Sequence, residues 1–276
     1  MAAPLPDQSE DHAPDPSRAA RGRSMAVKVP EATLVFWVIK VLTTGMGETA
    51  SDYLARALDP VVAVGLALVC LVGLLAAQMR AERYRPWLYW AAVAMVSVFG
   101  TMAADVAHVV VGIPYAVSTA VFAVVVAGVL LAWHRTEGTL DIHSITTSRR
   151  EAYYWTTVLA TFALGTAAGD LTANSLGLGY LASGVLFAVA IAVPAVAHRR
   201  WRLNPVLAFW IAYVLTRPLG ASFADWVAVP AERAGLGLGT GPVTVILLVA
   251  IVAAVAAHAR ALRRGSPAGR TLLPER

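Results

Sequence analysis

The chain has 276 residues, of which 58% are hydrophobic and 14% charged, with a formal net charge of +5 and a mean hydropathy of +0.65. That balance excludes an ordinary water-soluble domain, which carries about 45–50% apolar and about 25% charged residues. It leaves no need for a nucleic-acid partner to explain the basic pI near 9.7, because the basic residues sit in tails and at helix ends without a recognition element.

In chain order, residues 1–27 are rich in Pro, Ala, Asp and Arg and read as a disordered tail. The first apolar segment starts only after Pro30, without the basic start and processing site of a secretory leader. Segments 31–54, 87–108, 153–174 and 205–228 are apolar but carry scattered polar residues. Each is followed by a run free of charge, at 60–79, 111–133, 178–197 and 240–259. At about 1.5 Å per residue every run can cross a hydrocarbon core of about 30 Å. The pattern predicts an all-α polytopic membrane protein with eight transmembrane helices in four tandem hairpin repeats. The repeats cover about 28–80, 81–134, 149–200 and 201–260 of a membrane domain at 28–260. The longest connection, 134–152, holds His134, Asp141 and His143. It is too short for a soluble catalytic domain and reads as a linker between two four-helix halves, with a metal-sensing loop as the alternative. Residues 261–276 read as a second tail.

If the hairpins start on the side of the N-terminus, that side receives Arg18, Arg21, Arg23 and Lys28, the arginines at 80–85, 135–150 and 199–202, and those of the C-terminal tail. The opposite side receives Arg56 and Arg233. This positive-inside bias predicts cytoplasmic termini, and membrane lipid then accounts for the basic charge.

A signature recurs in the first helix of each hairpin. An aromatic-Trp pair is followed, fifteen residues after the Trp, by an aspartate: Phe36-Trp37 to Asp52, Tyr89-Trp90 to Asp105, Tyr154-Trp155 to Asp170, Phe209-Trp210 to Asp225. Each Asp lies five residues after a glycine, at 47, 100, 165 and 220. An isolated carboxylate in apolar surroundings is expensive, so its repetition implies a shared task. Thr44, Glu48 and Asp52 fall at intervals of four and form one stripe, and Thr101 and Thr166 precede their aspartates by the same interval. Glu48 and Asp52 repel unless a proton, a cation or a basic side chain lies between them, and Lys40 and Arg217 are the candidate charge partners. His108, three residues after Asp105, adds an imidazole for metal ligation or proton relay.

The tryptophans, with Trp133 and Trp201 at neighbouring helix ends, are expected to anchor at the headgroup level. The glycines permit close helix approach, and the pairs Gly45/Gly47 and Pro218/Gly220 mark helices one and seven as candidates for a broken segment. Cys70 stands alone in the second helix and reads as a small packing group. No CxxC, HExxH, Walker or dinucleotide pattern supports an enzyme, and no cofactor is expected.

The stretch from Lys28-Val29-Pro30-Glu31 through Phe36-Trp37, Lys40, Thr43-Thr44-Gly45, Gly47-Glu48-Thr49 and Asp52-Tyr53-Leu54 resembles the bacterial inner-membrane proteins built from four tandem copies of a repeat of unknown function. The resemblance covers about residues 28–260. It implies eight helices and a bacterial plasma-membrane location, and it implies no substrate.

Five acids against two basic groups inside the bundle favour an inorganic cation or protons as the species handled. The function expected from the residues is a secondary transporter of a small inorganic cation, a divalent metal leaving the cell, with proton exchange as a candidate coupling. Glu48 and Asp52 are the first metal ligands expected. Asp105, Asp170 and Asp225 follow as ligands or proton carriers, and Thr44, Thr101 and Thr166 as hydroxyl contacts. Such an oxygen-rich set suits a bound divalent cation such as manganese or magnesium. The alternatives are an organic-solute transporter lined by Phe36, Phe99, Phe162, Tyr213 and Phe223, and a non-transporting membrane scaffold or regulatory anchor.

Overall fold

A computed structural model describes residues 27–265, so the expected tails lie outside the described residues, except for Val27 and 261–265. Eight long helices follow one another: α1 Leu34–Ala57, α2 Pro60–Arg80, α3 Pro86–Asp105, α4 Tyr115–Glu137, α5 Ser148–Asp170, α6 Gly179–Trp201, α7 Pro205–Ala228 and α8 Thr240–Gly265. No strand occurs among the described residues. The starts are written locally. Thr33, Asp59, Thr147 and Asn204 cap free backbone amides, and Pro60, Pro86 and Pro205 open helices where the missing amide hydrogen costs nothing. Gly138, with a φ of 72°, ends α4 in the left-handed conformation that glycine adopts without strain.

Six helices, α2, α3, α4, α6, α7 and α8, are long and apolar enough to cross a membrane. The two others, α1 and α5, have 24 and 23 residues and are more polar. Their polar residues point inward: Lys40, Thr43, Thr44, Glu48, Thr49 and Ser51 of α1 are all buried. In α2, α4, α6 and α8 only 17–22% of the most apolar stretch is buried, against 50–56% in α3 and α7. The odd-numbered helices are therefore the inner ones.

These inner helices close a ring. Helix α1 packs on α3 and α7, α3 on α5, and α5 on α7. Each outer helix leans on the inner helix of the next repeat: α2 on α3, α4 on α5, α6 on α7, and α8 back on α1. The repeated glycine, ten residues after each Trp, makes the close approach. A methyl group on Gly47 would overlap Ser97, on Gly100 Phe162, on Gly165 Arg217, and on Gly220 Thr44. Every partner is the residue seven after the Trp of the following repeat, and the fourth repeat returns to the first. Small residues thus let the inner helices interlock at close range.

A second ring is aromatic. Phe36 lies 5.6 Å from Trp90, Tyr89 5.7 Å from Trp155, Tyr154 6.3 Å from Trp210, and Phe209 5.6 Å from Trp37, between ring centres. This corrects the expected headgroup anchoring. Trp90, Trp155, Trp210 and Trp133 are buried inside the protein and Trp37 is half-buried, whereas Trp201 is exposed. The indoles fill the gaps between inner helices because the repeat places each beside its neighbour's aromatic. Next to this belt Lys28 forms a buried ion pair with Glu151 at 2.7 Å and donates to the Met79 carbonyl at 2.9 Å, fastening the chain start to α5 and α2.

Three further expectations are corrected. Helices α1 and α7 run unbroken through Gly45, Gly47, Pro218 and Gly220. The departures from α-geometry are single π-helical turns after α3 and α5, at Val106–Val110 and Leu171–Ser175, directly following Asp105 and Asp170. Cys70 is exposed on the outer face of α2 rather than packed. Finally α8 continues through 261–265, where the second tail was expected to have begun.

Candidate functional site

Positions seven, eleven and fifteen after each Trp share one stripe of an inner helix, and the ring turns the four stripes toward each other. The fifteenth positions come together. Asp52, Asp105, Asp170 and Asp225, with Glu48, all line one cavity of about 470 Å³. It lies at the end where the two helices of each hairpin are joined, bordered by Pro60 and by Arg233 of the α7–α8 connection. The basic residues on its wall are Arg56 and Arg233, so the lining carries more acid than base. Arg56 reaches Asp52 at 2.6 Å, one turn along α1, and Arg233 bonds the Tyr180 hydroxyl at 2.5 Å.

The eleventh positions form the layer beneath. Arg217, the fourth repeat's seventh-position residue, is fully buried at the ring centre. Its guanidinium donates to the Glu48 carboxylate at 2.5 Å, to the Thr166 hydroxyl at 2.8 Å, to the Thr101 hydroxyl, and to the Thr44 carbonyl at 3.2 Å. Glu48, Thr101 and Thr166 are the eleventh residues of the first three repeats, and one cation from the fourth ties them together. Thr44, Thr101 and Thr166 accordingly lie below the cavity and do not line it. A buried, hydrogen-bonded charge pair of this kind fixes one arrangement of four helices, since removing either charge strands the other.

Lys40 lies further along the ring and pairs with no carboxylate among the described residues. Its ammonium is buried, has no hydrogen-bond partner, and sits 4.2 Å above Phe162 and 4.3 Å above Tyr213. Cation–π contact is the stabilisation available to it. Beyond it the hydroxyls of Tyr89 and Tyr154 meet at 2.5 Å. The five aromatics expected to surround an organic solute do not line the cavity; Tyr115 and Tyr180 do.

His108 stands on the π-helical turn after α3 and does not itself line the cavity. Its Nε2 is 2.6 Å from the Ser118 hydroxyl, and its Nδ1 faces Asp170 at 4.0 Å. Asp105, His108 and Asp170 each present one donor atom within 4.8 Å of the others. In the α4–α5 connection, Asp141 bonds His143 at 2.9 Å, and His134 takes no part in that pair. Arg56, Asn174, Tyr115 and Tyr180 also line the cavity, and the repeat signature singles out none of them. Arg56 was detectable from its spacing of four from Asp52. The two tyrosines stand at the starts of outer helices and gave no signal without the packing.

The sequence matches the family described as Repeat of Unknown Function (DUF347) four times, at residues 35–84, 88–139, 153–203 and 208–264. Each matched segment holds one inner and one outer helix. No curated protein and no solved structure matches the chain.

Proposed function

We propose, from the premise that the chain belongs to the family built on the repeat of unknown function (DUF347), that it is a secondary transporter of a small inorganic cation, exporting a divalent metal ion, with proton exchange as the candidate coupling. One observation carries the reading: five carboxylates from four repeats line a single cavity at one end of a helix ring. Such an excess of acid within apolar helices is costly unless cations or protons compensate it. The sequence holds no ATP-binding pattern, so an ion gradient is the energy source.

In this reading all eight helices span a bacterial plasma membrane. The lower hydropathy of α1 and α5 is no obstacle, because their polar groups face the ring, and 24 residues extend about 36 Å. The end opposite the cavity carries Arg80, Arg135, Arg199, Arg200, Arg263 and Arg264 in the last turns of the outer helices. This supports cytoplasmic termini and a cavity facing outward. Arg217 and the aromatic belt form the closed side that a transport cycle has to open.

The test is flux in proteoliposomes against a panel of divalent cations, with and without a proton gradient, for wild type, Asp52→Asn and Asp225→Asn. Cation flux that falls in both variants is the expected result. A protein that folds and moves no cation leaves the scaffold reading ahead, and flux of an organic cation alone favours the organic-solute reading.

A further inference from the structure

We propose that Asp105, His108 and Asp170 form a binding site for a first-row divalent transition metal of the Zn²⁺ or Co²⁺ kind. This deepens the cation reading of the cavity and rests on it for the route by which the ion arrives. The ligand set comes from geometry.

His108 is the reason. Its side chain is 3% exposed, and its Nδ1 is buried without a hydrogen-bond partner. The other ring nitrogen has a partner that can fix the tautomer. The Ser118 hydroxyl donates its single hydrogen to the Tyr115 carbonyl at 3.0 Å, with the Pro114 carbonyl at 3.4 Å. In the proposed site it accepts from Nε2–H at 2.6 Å, one of the two tautomers this contact allows. That tautomer leaves a lone pair on Nδ1, 4.0 Å from a carboxylate oxygen of Asp170. A lone pair facing a carboxylate is unfavourable unless a cation lies between them. A metal-bound imidazole shows the same arrangement, with one nitrogen on the ion and the other donating to a fixed acceptor.

The carboxylates are also oriented. Asp170 accepts from Asn174 at 3.3 Å on one oxygen and turns the other to His108. Asp105 accepts from Ser51 at 3.4 Å. Glu48 and Asp52, by contrast, already hold guanidinium partners. The imidazole selects the metal class, since nitrogen ligands favour first-row transition metals over Mg²⁺. The position is particular to the second repeat. Eighteen residues after the Trp stands His108 there and Ala55, Ala173 and Ala228 in the others.

The same comparison supplies a variant compatible with the fold. Protein purified in detergent without a polyhistidine tag is titrated calorimetrically with Zn²⁺, and with Co²⁺ while its visible ligand-field spectrum is recorded. One ion per chain is expected, not displaced by equimolar Mg²⁺, with a Co²⁺ spectrum that changes in His108→Gln. His108→Ala and Asp170→Asn should weaken Zn²⁺ binding at least about tenfold. Ser118→Ala should weaken it by about 10- to 100-fold through loss of the orienting hydrogen bond. Size-exclusion profiles check that each variant is folded. No Zn²⁺ bound to folded wild type, or wild-type affinity retained in folded His108→Ala and His108→Gln, overturns the site. Flux measured in parallel separates the two readings: Zn²⁺ bound at the trio without transport removes the transporter and keeps the site. Transport with unchanged binding in both His108 variants does the reverse.

Discussion

Glu48→Gln is the sharpest probe of the ring, because it removes one charge and keeps the shape. In the wild type Arg217 donates to Glu48, Thr101, Thr166 and the Thr44 carbonyl, and both charged side chains are buried. After the substitution only neutral acceptors, the new amide oxygen at position 48 among them, surround a cation that nothing neutralises. Breaking one side of a buried pair costs about 3–5 kcal/mol. Thr166→Val removes a single interhelical hydrogen bond and should cost nearer 0.6 kcal/mol, about the average measured for such bonds in membrane proteins. Arg217→Met retains the methylene stem that packs on Gly165 but strands the carboxylate, so its cost should resemble that of Glu48→Gln. The double variant Glu48→Gln/Arg217→Met strands neither charge. It should return to within about 1–2 kcal/mol of the wild type, giving a coupling of several kcal/mol in the cycle. Reversible denaturation in mixed detergent micelles, followed by tryptophan fluorescence, supplies the four free energies. Additive single costs, or a loss under about 1 kcal/mol in Glu48→Gln, would refute the claim that this pair holds the four repeats together.

Gly47→Ala should destabilise by about 1–3 kcal/mol, because its new methyl group meets the Ser97 backbone at 2.8 Å and cannot be relieved by a rotamer change; the same denaturation assay reads it. Trp155→Ala, in the aromatic belt, should cost about 3–5 kcal/mol, while Trp201→Ala, 76% exposed, should stay within about 0.5 kcal/mol, and equal effects would return the tryptophans to a lipid-anchoring role. For orientation, single cysteines in a Cys70→Ser background at the exposed positions Ala57 and Gly177 should react with an impermeant maleimide from outside intact cells, and those at Arg83 and Arg200 only after permeabilisation. The reverse labelling pattern would place the carboxylate cavity on the cytoplasmic side.

Much of this architecture is written in local spacing. Hydrophobic runs, proline and side-chain caps, and a glycine and an aspartate at fixed distances from each Trp determine eight helices, four repeats and which helix of each hairpin is polar, because each depends on a residue's neighbours along the chain. Tertiary structure decided what those spacings mean. That the seventh residue after one Trp fills the glycine notch of the preceding repeat requires the ring to close, and one sequence does not show which repeats are neighbours. Trp90, Trp155 and Trp210 look alike whether they face headgroups or an aromatic ring of the neighbouring repeat, since an indole suits both. Arg217 gave a charge without an address, and Lys40, its apparent equal, lies over Phe162 and Tyr213 while Arg217 holds Glu48. The nearest partner of the His108 ring is a serine ten residues away on another helix. Side-chain type and periodicity are local properties of the chain, but the partner of a buried charge is set by which helices meet, and that is decided only when the four hairpins pack.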